Sequence, residues 1–350
     1  MVRVSRNVVA IVSSVLFVVL AALLVVLPVP FVTWRPGATV NVLGSSDEGP
    51  LVEVKGVQNY PTGPSQLLMT TVSTSRVDAT VSLPEALLAH VDPEADAMPR
   101  EVVYPAGLSS EDVREEAVAA MDTSRSNATV AALRTVGQSV TEMPMVSSVV
   151  LDSPANGVLL PGDLIESVDG TEVKTREQVQ DLIAERPVGE TVVFNVLRDG
   201  ATESVSVRTT EGGQDRPVVG INVGVGFRYA PEVIYRVDAS VVGPSAGLVF
   251  ALAIYDTITE ANLIRERVVA GTGTVDPEGT IGRIGGVREK VAGAEADGAS
   301  VFLLPIENCP DVGDLSTQMR LVPVATLKDA IRSLQLINEG KSQSEVPSCG

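Results

Sequence analysis

The chain opens on a run that is apolar on every helical face. From Val8 to Val32 the only polar side chains are Ser13 and Ser14, with Pro28 and Pro30 near the end. At about 1.5 Å per residue, a helix over 8–32 exceeds the roughly 30 Å of a hydrocarbon core. Arg3 and Arg6 precede the run, and Asp47, Glu48 and Glu53 follow it, with Arg35 on the same side. The positive-inside bias then places residues 1–7 in the cytoplasm and the rest of the chain outside. The rival reading is a cleaved leader. Its apolar region is shorter and ends at a small-x-small site, which 27–34 lacks, so the pattern favours an uncleaved single-pass anchor. Trp34 suits an interfacial position.

Past the anchor the pattern alternates between strand and helix periods, which predicts an α+β protein. In 33–137, Leu51–Val57 and Gln66–Val72 read as strands, with a turn at Tyr60–Pro64. Ser109 to Leu133 reads as a helix, capped by serine and acidic in its first turns, with Val113, Ala117, Ala120 and Met121 at helical spacing. Residues 138–211 form a unit of short strands. These are Val146–Leu151, the stretch around Leu164–Val168, Thr191–Arg198 and Glu203–Arg208, with a helix from Thr175 to Ile183. In 212–338, Val218–Gly224, Ala230–Val237, Val268–Thr274, Gly279–Ile284 and Ser300–Leu304 read as strands. Gly247–Thr259, Val287–Ala296 and Leu327–Leu336 read as helices. The tail, 339–350, is polar.

Composition narrows the chemistry. The formal net charge of -18 makes a nucleic-acid partner a poor expectation. One histidine, His90, and two cysteines, Cys309 and Cys349, cannot supply a multi-histidine or four-cysteine zinc site, and no cofactor or metal is expected. His90 itself suits a bland surface position. The one Gly-Lys-Ser, at 340–342, has Gln335 where a nucleotide loop needs glycine, so no ATP site is expected.

Two short motifs carry chemistry. In Val242-Gly243-Pro244-Ser245-Ala246-Gly247 a serine stands at the start of an apolar helix. Free backbone N–H groups and the positive end of the helix dipole can stabilise an oxyanion there. Taken alone, Ser245 is more commonly an ordinary helix cap. In Gly285-Gly286-Val287-Arg288-Glu289-Lys290 a lysine lies one turn into a helix, with Val287 and Ala294 on its face. A lysine buried there loses hydration and becomes a base, whereas most lysines are simply exposed. Lys55, Lys174, Lys328 and Lys341 lack that apolar, glycine-flanked setting.

Together, Pro244-Ser245-Ala246-Gly247 and Gly285-Gly286-Val287-Arg288-Glu289-Lys290 resemble the proteolytic domain of the Lon family. The resemblance implies Ser245 as nucleophile and Lys290 as general base. By the same resemblance Thr272, of Thr272-Gly273, would help orient the lysine, with Gly243, Ala246 and Gly247 as supporting residues around the serine. An acidic residue that often stands just before the family's Gly-Pro-Ser is replaced here by Val242, with Asp238 the nearest acid upstream. Residues 33–137 are expected to complete this domain, leaving 138–211 inserted into it.

The inserted unit, with Pro161-Gly162-Asp163-Leu164-Ile165-Glu166-Ser167-Val168-Asp169-Gly170, resembles a PDZ domain. By that resemblance an extended peptide adds beside Val146–Leu151 and against the helix 175–183, so Met145, Val146, Val149, Val179 and Ile183 would line its groove. The terminal-carboxylate loop falls at Thr141–Met145, which brings in Glu142. The whole arrangement resembles bacterial membrane-anchored PDZ-containing Lon-like proteases. It implies an ATP-independent serine endopeptidase acting on loose extracytoplasmic protein, as a homo-oligomer, a hexameric ring by family. The other reading left open is a non-catalytic anchored PDZ adaptor. An oxidising compartment favours a Cys309–Cys349 disulfide.

Overall fold

The computed structural model describes residues 6–76, 79–104, 107–213, 216–313, 315–341 and 345–349. Arg3, within the segment expected to be cytoplasmic, and Ser342 lie outside the described residues. The chain forms two compact units, Met1–Val136 with Pro231–Gly350, and Gly137–Ala230. The second interrupts the first. Residues 212–230, assigned from sequence to the last block, belong instead to the inserted unit.

Helix α1 (Arg6–Val26) contains Val8–Val26, the one helix among the described residues long and apolar enough to cross a membrane. It stops short of the expected Val32. Prolines at 28 and 30 cannot donate to a helix ladder, and the chain turns extended. Strand β1 (Pro28–Val29) leads to β2 (Phe31–Asn41), where Val32 is fully buried and pairs with Met98. Trp34 is a half-buried residue of the sheet. It pairs with Thr74, and its ring lies against Gly285 and Gly286. Next come β3 (Val52–Lys55), β4 (Gln66–Thr74), β5 (Val81–Ser82), α2 (Leu83–Val91) and β6 (Asp96–Pro99). Helix α3 (Ser110–Thr135) starts with a reciprocal Ser109–Asp112 capping box, which satisfies two otherwise unpaired N–H groups.

The inserted unit holds β7 (Thr141–Val149), β8 (Leu164–Val168), α4 (Arg176–Ala184), β9 (Thr191–Arg198), β10 (Ala201–Arg208) and β11 (Ile221–Arg228). Its strand order is β10-β9-β8-β7-β11. The Asp163 carboxylate, 1% exposed, accepts two hydrogen bonds from Arg198 and one from the Leu160 N–H, which fixes the Pro-Gly-Asp turn. Val146, Ile165, Val168, Val179 and Phe194 form the core.

Back in the first unit come β12 (Glu232–Tyr235), α5 (Gly247–Ile258), β13 (Val268–Gly271), α6 (Val287–Ala296), β14 (Val301–Pro305), β15 (Arg320–Val324) and α7 (Leu327–Asn338). A six-stranded sheet runs β15-β14-β13-β4-β2-β6, parallel from β15 to β4 and antiparallel beyond. Its two faces bury different side chains. Leu67, Met69, Val269, Val301 and Leu303 join the core around α5, while Leu68, Ala270, Phe302 and Leu304 join the core around α6. This is the period-two signature of a strand covered on both sides. Helix α5 is buried on nearly every face, with Leu248, Phe250, Leu252 and Ile254 inaccessible to solvent.

Candidate active site

Ser245 and Lys290 arrive from opposite faces of the sheet. Ser245 precedes α5 in a short 3-10 turn, Pro244–Ala246, and Lys290 lies in the first turns of α6. They meet at the carboxyl end of the parallel strand β13, where Thr272 emerges. Lys290 Nζ is 2.7 Å from Ser245 Oγ and 3.0 Å from Thr272 Oγ1. The sequence-expected trio thus forms one cluster. Thr272 Oγ1 also donates to the Ser245 carbonyl (3.1 Å), and the Gly273 N–H donates to the same oxygen (2.9 Å). Because the threonine directs its proton at that carbonyl, it can only accept from the lysine. One N–H of the amine is therefore held at Thr272, which leaves its remaining valence facing Ser245.

Burial sets the electrostatics. Lys290 is 4% exposed and Thr272 is fully buried, while Ser245 is half-exposed and open to a substrate. Desolvation lowers the Lys290 ammonium from 10.5 to about 8, with the neighbouring Glu289 carboxylate pulling the other way. Glu289 is itself buried, and burial pushes its carboxyl up. Asp238, the nearest acid upstream of the serine, accepts from the exposed Ser240 N–H (2.7 Å).

The glycines have local reasons. Gly243 has φ 102°, a left-handed conformation suited to glycine, and its N–H donates to Ala117 O of α3 (3.1 Å). A Cβ on Gly247 would meet Val275 Cγ1 at 2.8 Å and Ser124 Oγ at 3.0 Å, so α5 can seat itself there only without a side chain. Ala246 is buried beside it.

Three further residues brace the site and escaped sequence reasoning. Ser124 Oγ of α3 donates to the Pro244 carbonyl (2.9 Å), so the turn carrying Ser245 hangs on a helix more than a hundred residues upstream. Its signal is faint: a small polar residue one turn after Met121 on a buried face. Asn308, fully buried, grips the loop before α6. Its Oδ1 accepts from Ile284 N–H (3.1 Å), and its Nδ2 donates to Ile284 O (2.9 Å) and to Asp311 Oδ2 (2.7 Å). Asp311 in turn accepts two bonds from Arg283 at 2.8 and 2.9 Å. The next residue, Cys309, is disulfide-bonded to Cys349.

The inserted unit corrects one expectation. Thr141–Met145, assigned to a carboxylate-binding loop, is strand. The strand expected to receive a peptide, β7, is interior: β8 flanks it at Met145, and β11 pairs with it from Val149 to Thr141. Val146, Val179 and Ile183 are core residues, Met145 and Val149 are half-buried, and the strands at the ends of the sheet are β10 and, beside β7, β11. Strand β11 was missed as the edge because its short alternation reads the same for edge and interior strands.

Comparison with known proteins agrees with this architecture. Residues 124–209 match the PDZ domain family, and residues 239–335 match the Lon protease (S16) C-terminal proteolytic domain. The Lon protease of Roseiflexus castenholzii is 34% identical over 103 residues, 29% of this chain and 13% of that protein. The Lon protease of Paraburkholderia phytofirmans is 37% identical over 100 residues, 26% of this chain and 12% of that protein. This chain therefore spans about an eighth of the relatives it matches. The solved PDZ domain of the SdrC-like protein from Listeria monocytogenes is 33% identical, with a TM-score of 0.22, and covers 23% of this chain and 86% of that one. Fold, site and comparisons define a mixed α and β protein that joins a PDZ domain to a Lon-type proteolytic domain. One part of the chain is thus similar to the PDZ domain and another to the proteolytic domain of Lon proteases.

Proposed function

We propose that the chain is an ATP-independent, membrane-anchored serine endopeptidase that cuts through a Ser245–Lys290 dyad. The carrying observation is the 2.7 Å approach of a dehydrated lysine amine to the Ser245 hydroxyl. A neutral Lys290 accepts the Ser245 proton as Oγ attacks the peptide carbonyl. The resulting ammonium then delivers that proton to the departing amine, and a water repeats the sequence to release the acyl group. Thr272 holds the amine in place throughout. Backbone N–H groups at the start of α5 face the developing oxyanion, where the helix dipole favours negative charge.

Helix α1 tethers the chain to a membrane, with both units on the extracytoplasmic side. The disulfide suits that compartment. The substrates are already loose polypeptides, recruited as an added strand along the outer edge of β11, against which α4 packs. Assembly into a ring of identical copies, by analogy a hexamer, completes this reading.

A fluorophosphonate probe tests it. Expected is labelling of Ser245 that Lys290→Gln abolishes, and loss of peptide cleavage on the order of 10³-fold in Ser245→Ala and in Lys290→Gln. Absence of labelling in every oligomeric state sinks the enzyme reading and leaves an anchored PDZ adaptor.

A further inference from the structure

The apolar surface of the first unit does not end with α1. Helix α2 buries Ala86 and Ala89, and turns Leu87, Leu88 and Val91 outward at 55%, 65% and 73% exposure. Val102, on the adjoining turn Arg100–Val103, is 64% exposed. Backbone hydrogen bonds hold this apolar surface to the foot of α1. Pro28 and Val29, just beyond α1, pair with Ser82 and Val81, and Ser82 caps α2 through the Glu85 N–H. Arg100 N–H donates to Pro30 O (2.9 Å).

Depth follows from the length of α1. Its 19-residue apolar stretch, Val8–Val26, spans about 28 Å, close to the roughly 30 Å of a hydrocarbon core. The last turn therefore stands at the boundary with the headgroups. Helix α2 packs against α1. Among the described side chains of α1 only Ala21 is half-buried, about 8 Å below the end of the helix. That sets α2 at the level where interfacial amphipathic helices lie.

We propose that Leu87, Leu88 and Val91 of α2 enter the lipid at the membrane interface, so that the catalytic unit rests on the bilayer through a second element beside its anchor. The occupant is the lipid surface rather than a protein, because the patch continues the apolar surface of α1 at a fixed depth. Segment 83–94 carries Glu85, Asp92 and Glu94 against the lone His90, so the contact is apolar and needs no anionic lipid. The inference rests on α1 crossing the membrane.

Tryptophan introduced into the full chain at exposed positions tests both ideas separately. Leu87→Trp and Val91→Trp are each placed in phosphatidylcholine vesicles containing brominated phosphatidylcholine. The parent, with half-buried Trp34, and Ser300→Trp, exposed just before β14 at the end of the sheet away from α1, serve as controls. The expected result is loss of the added emission at 87 and 91, strongest with bromines near the headgroup, unchanged by salt, and absent at 300. Vesicle-bound protein without quenching at 87 and 91 overturns the proposal and leaves the anchor standing. Protein that does not sediment with vesicles overturns both. Cross-linking between copies through position 87, without quenching, assigns the face to a second copy and overturns lipid contact.

Discussion

An amine held away from water is a base near neutral pH, and Lys290 is such an amine. Its folded value of about 8 lies below the 10.5 of an exposed lysine. Between those values the unfolded chain binds more protons than the folded one, so this group makes stability rise with pH across that window. Below pH 8 the whole penalty of burying the charge is present. Lys290→Met is therefore expected to stabilise the fold at pH 7 by up to roughly 3 kcal/mol, and to flatten the rise in stability between pH 8 and 10.5. Denaturant midpoints at pH 7 and pH 10 check this. Activity should climb with pH along a limb centred near 8, as the amine sheds its proton. Thr272→Val keeps the shape but removes the acceptor that fixes the lysine. A loss of about 10- to 100-fold in kcat, partly restored by Thr272→Ser, is the expected outcome. Asp256, at the far end of α5, is a different buried ionisable group. It accepts from Leu263 N–H through one oxygen, its other oxygen has no partner, and burial pushes its carboxyl up. A raised carboxyl contributes stability at low pH that is lost as pH rises through its folded value. Asp256→Asn should raise the melting temperature at pH 8 and leave it nearly unchanged at pH 4.

The turn before α5 carries Ser245 and α6 carries Lys290, 45 residues apart in sequence. Their meeting depends on elements far away in the chain. Ser124 pins the Pro244 carbonyl, and Asn308 occupies both backbone groups of Ile284, three residues before α6 begins. Asn308→Ala leaves those partly buried groups without this partner, at a cost of about 1 kcal/mol. Because the loop sets where Lys290 sits, the variant should also lower kcat more than it changes KM, readable from steady-state cleavage of a peptide. Cys309 follows Asn308 directly, and its bond to Cys349 closes a loop with a sequence separation of 40. Loop-closure entropy gives that crosslink up to about 4 kcal/mol. Reduction should lower the melting temperature measurably, most visibly in Asn308→Ala, where the same loop is already loosened.

The whole molecule inserts one domain into another. Strand β4, from before the insertion, lies between β13 and β2, so residues 231–338 alone lack the centre of their own sheet. Expressed by themselves they should fail to fold, while limited proteolysis at both junctions should release 137–230 as a protected fragment. The sequence by itself determined what is local. It carried the apolar helix near the N-terminus, the capped helix at 110–135, the turn-and-strand rhythm of the inserted unit, and the two motifs that bring Ser245 and Lys290 together, because periodicity, caps and short motifs reside in neighbouring residues. Only the tertiary structure decided what depends on pairing across distance. The chain leaves the helix at Val26 because Pro28–Val32 find sheet partners in 81–82 and 98–99. Strand β11, rather than β7, stands at this end of the inserted sheet, since an edge is defined by the strand that is missing beside it. Ser124 and Asn308 acquire their roles only where backbone from elsewhere comes within hydrogen-bond reach, a relation that no spacing along the chain encodes.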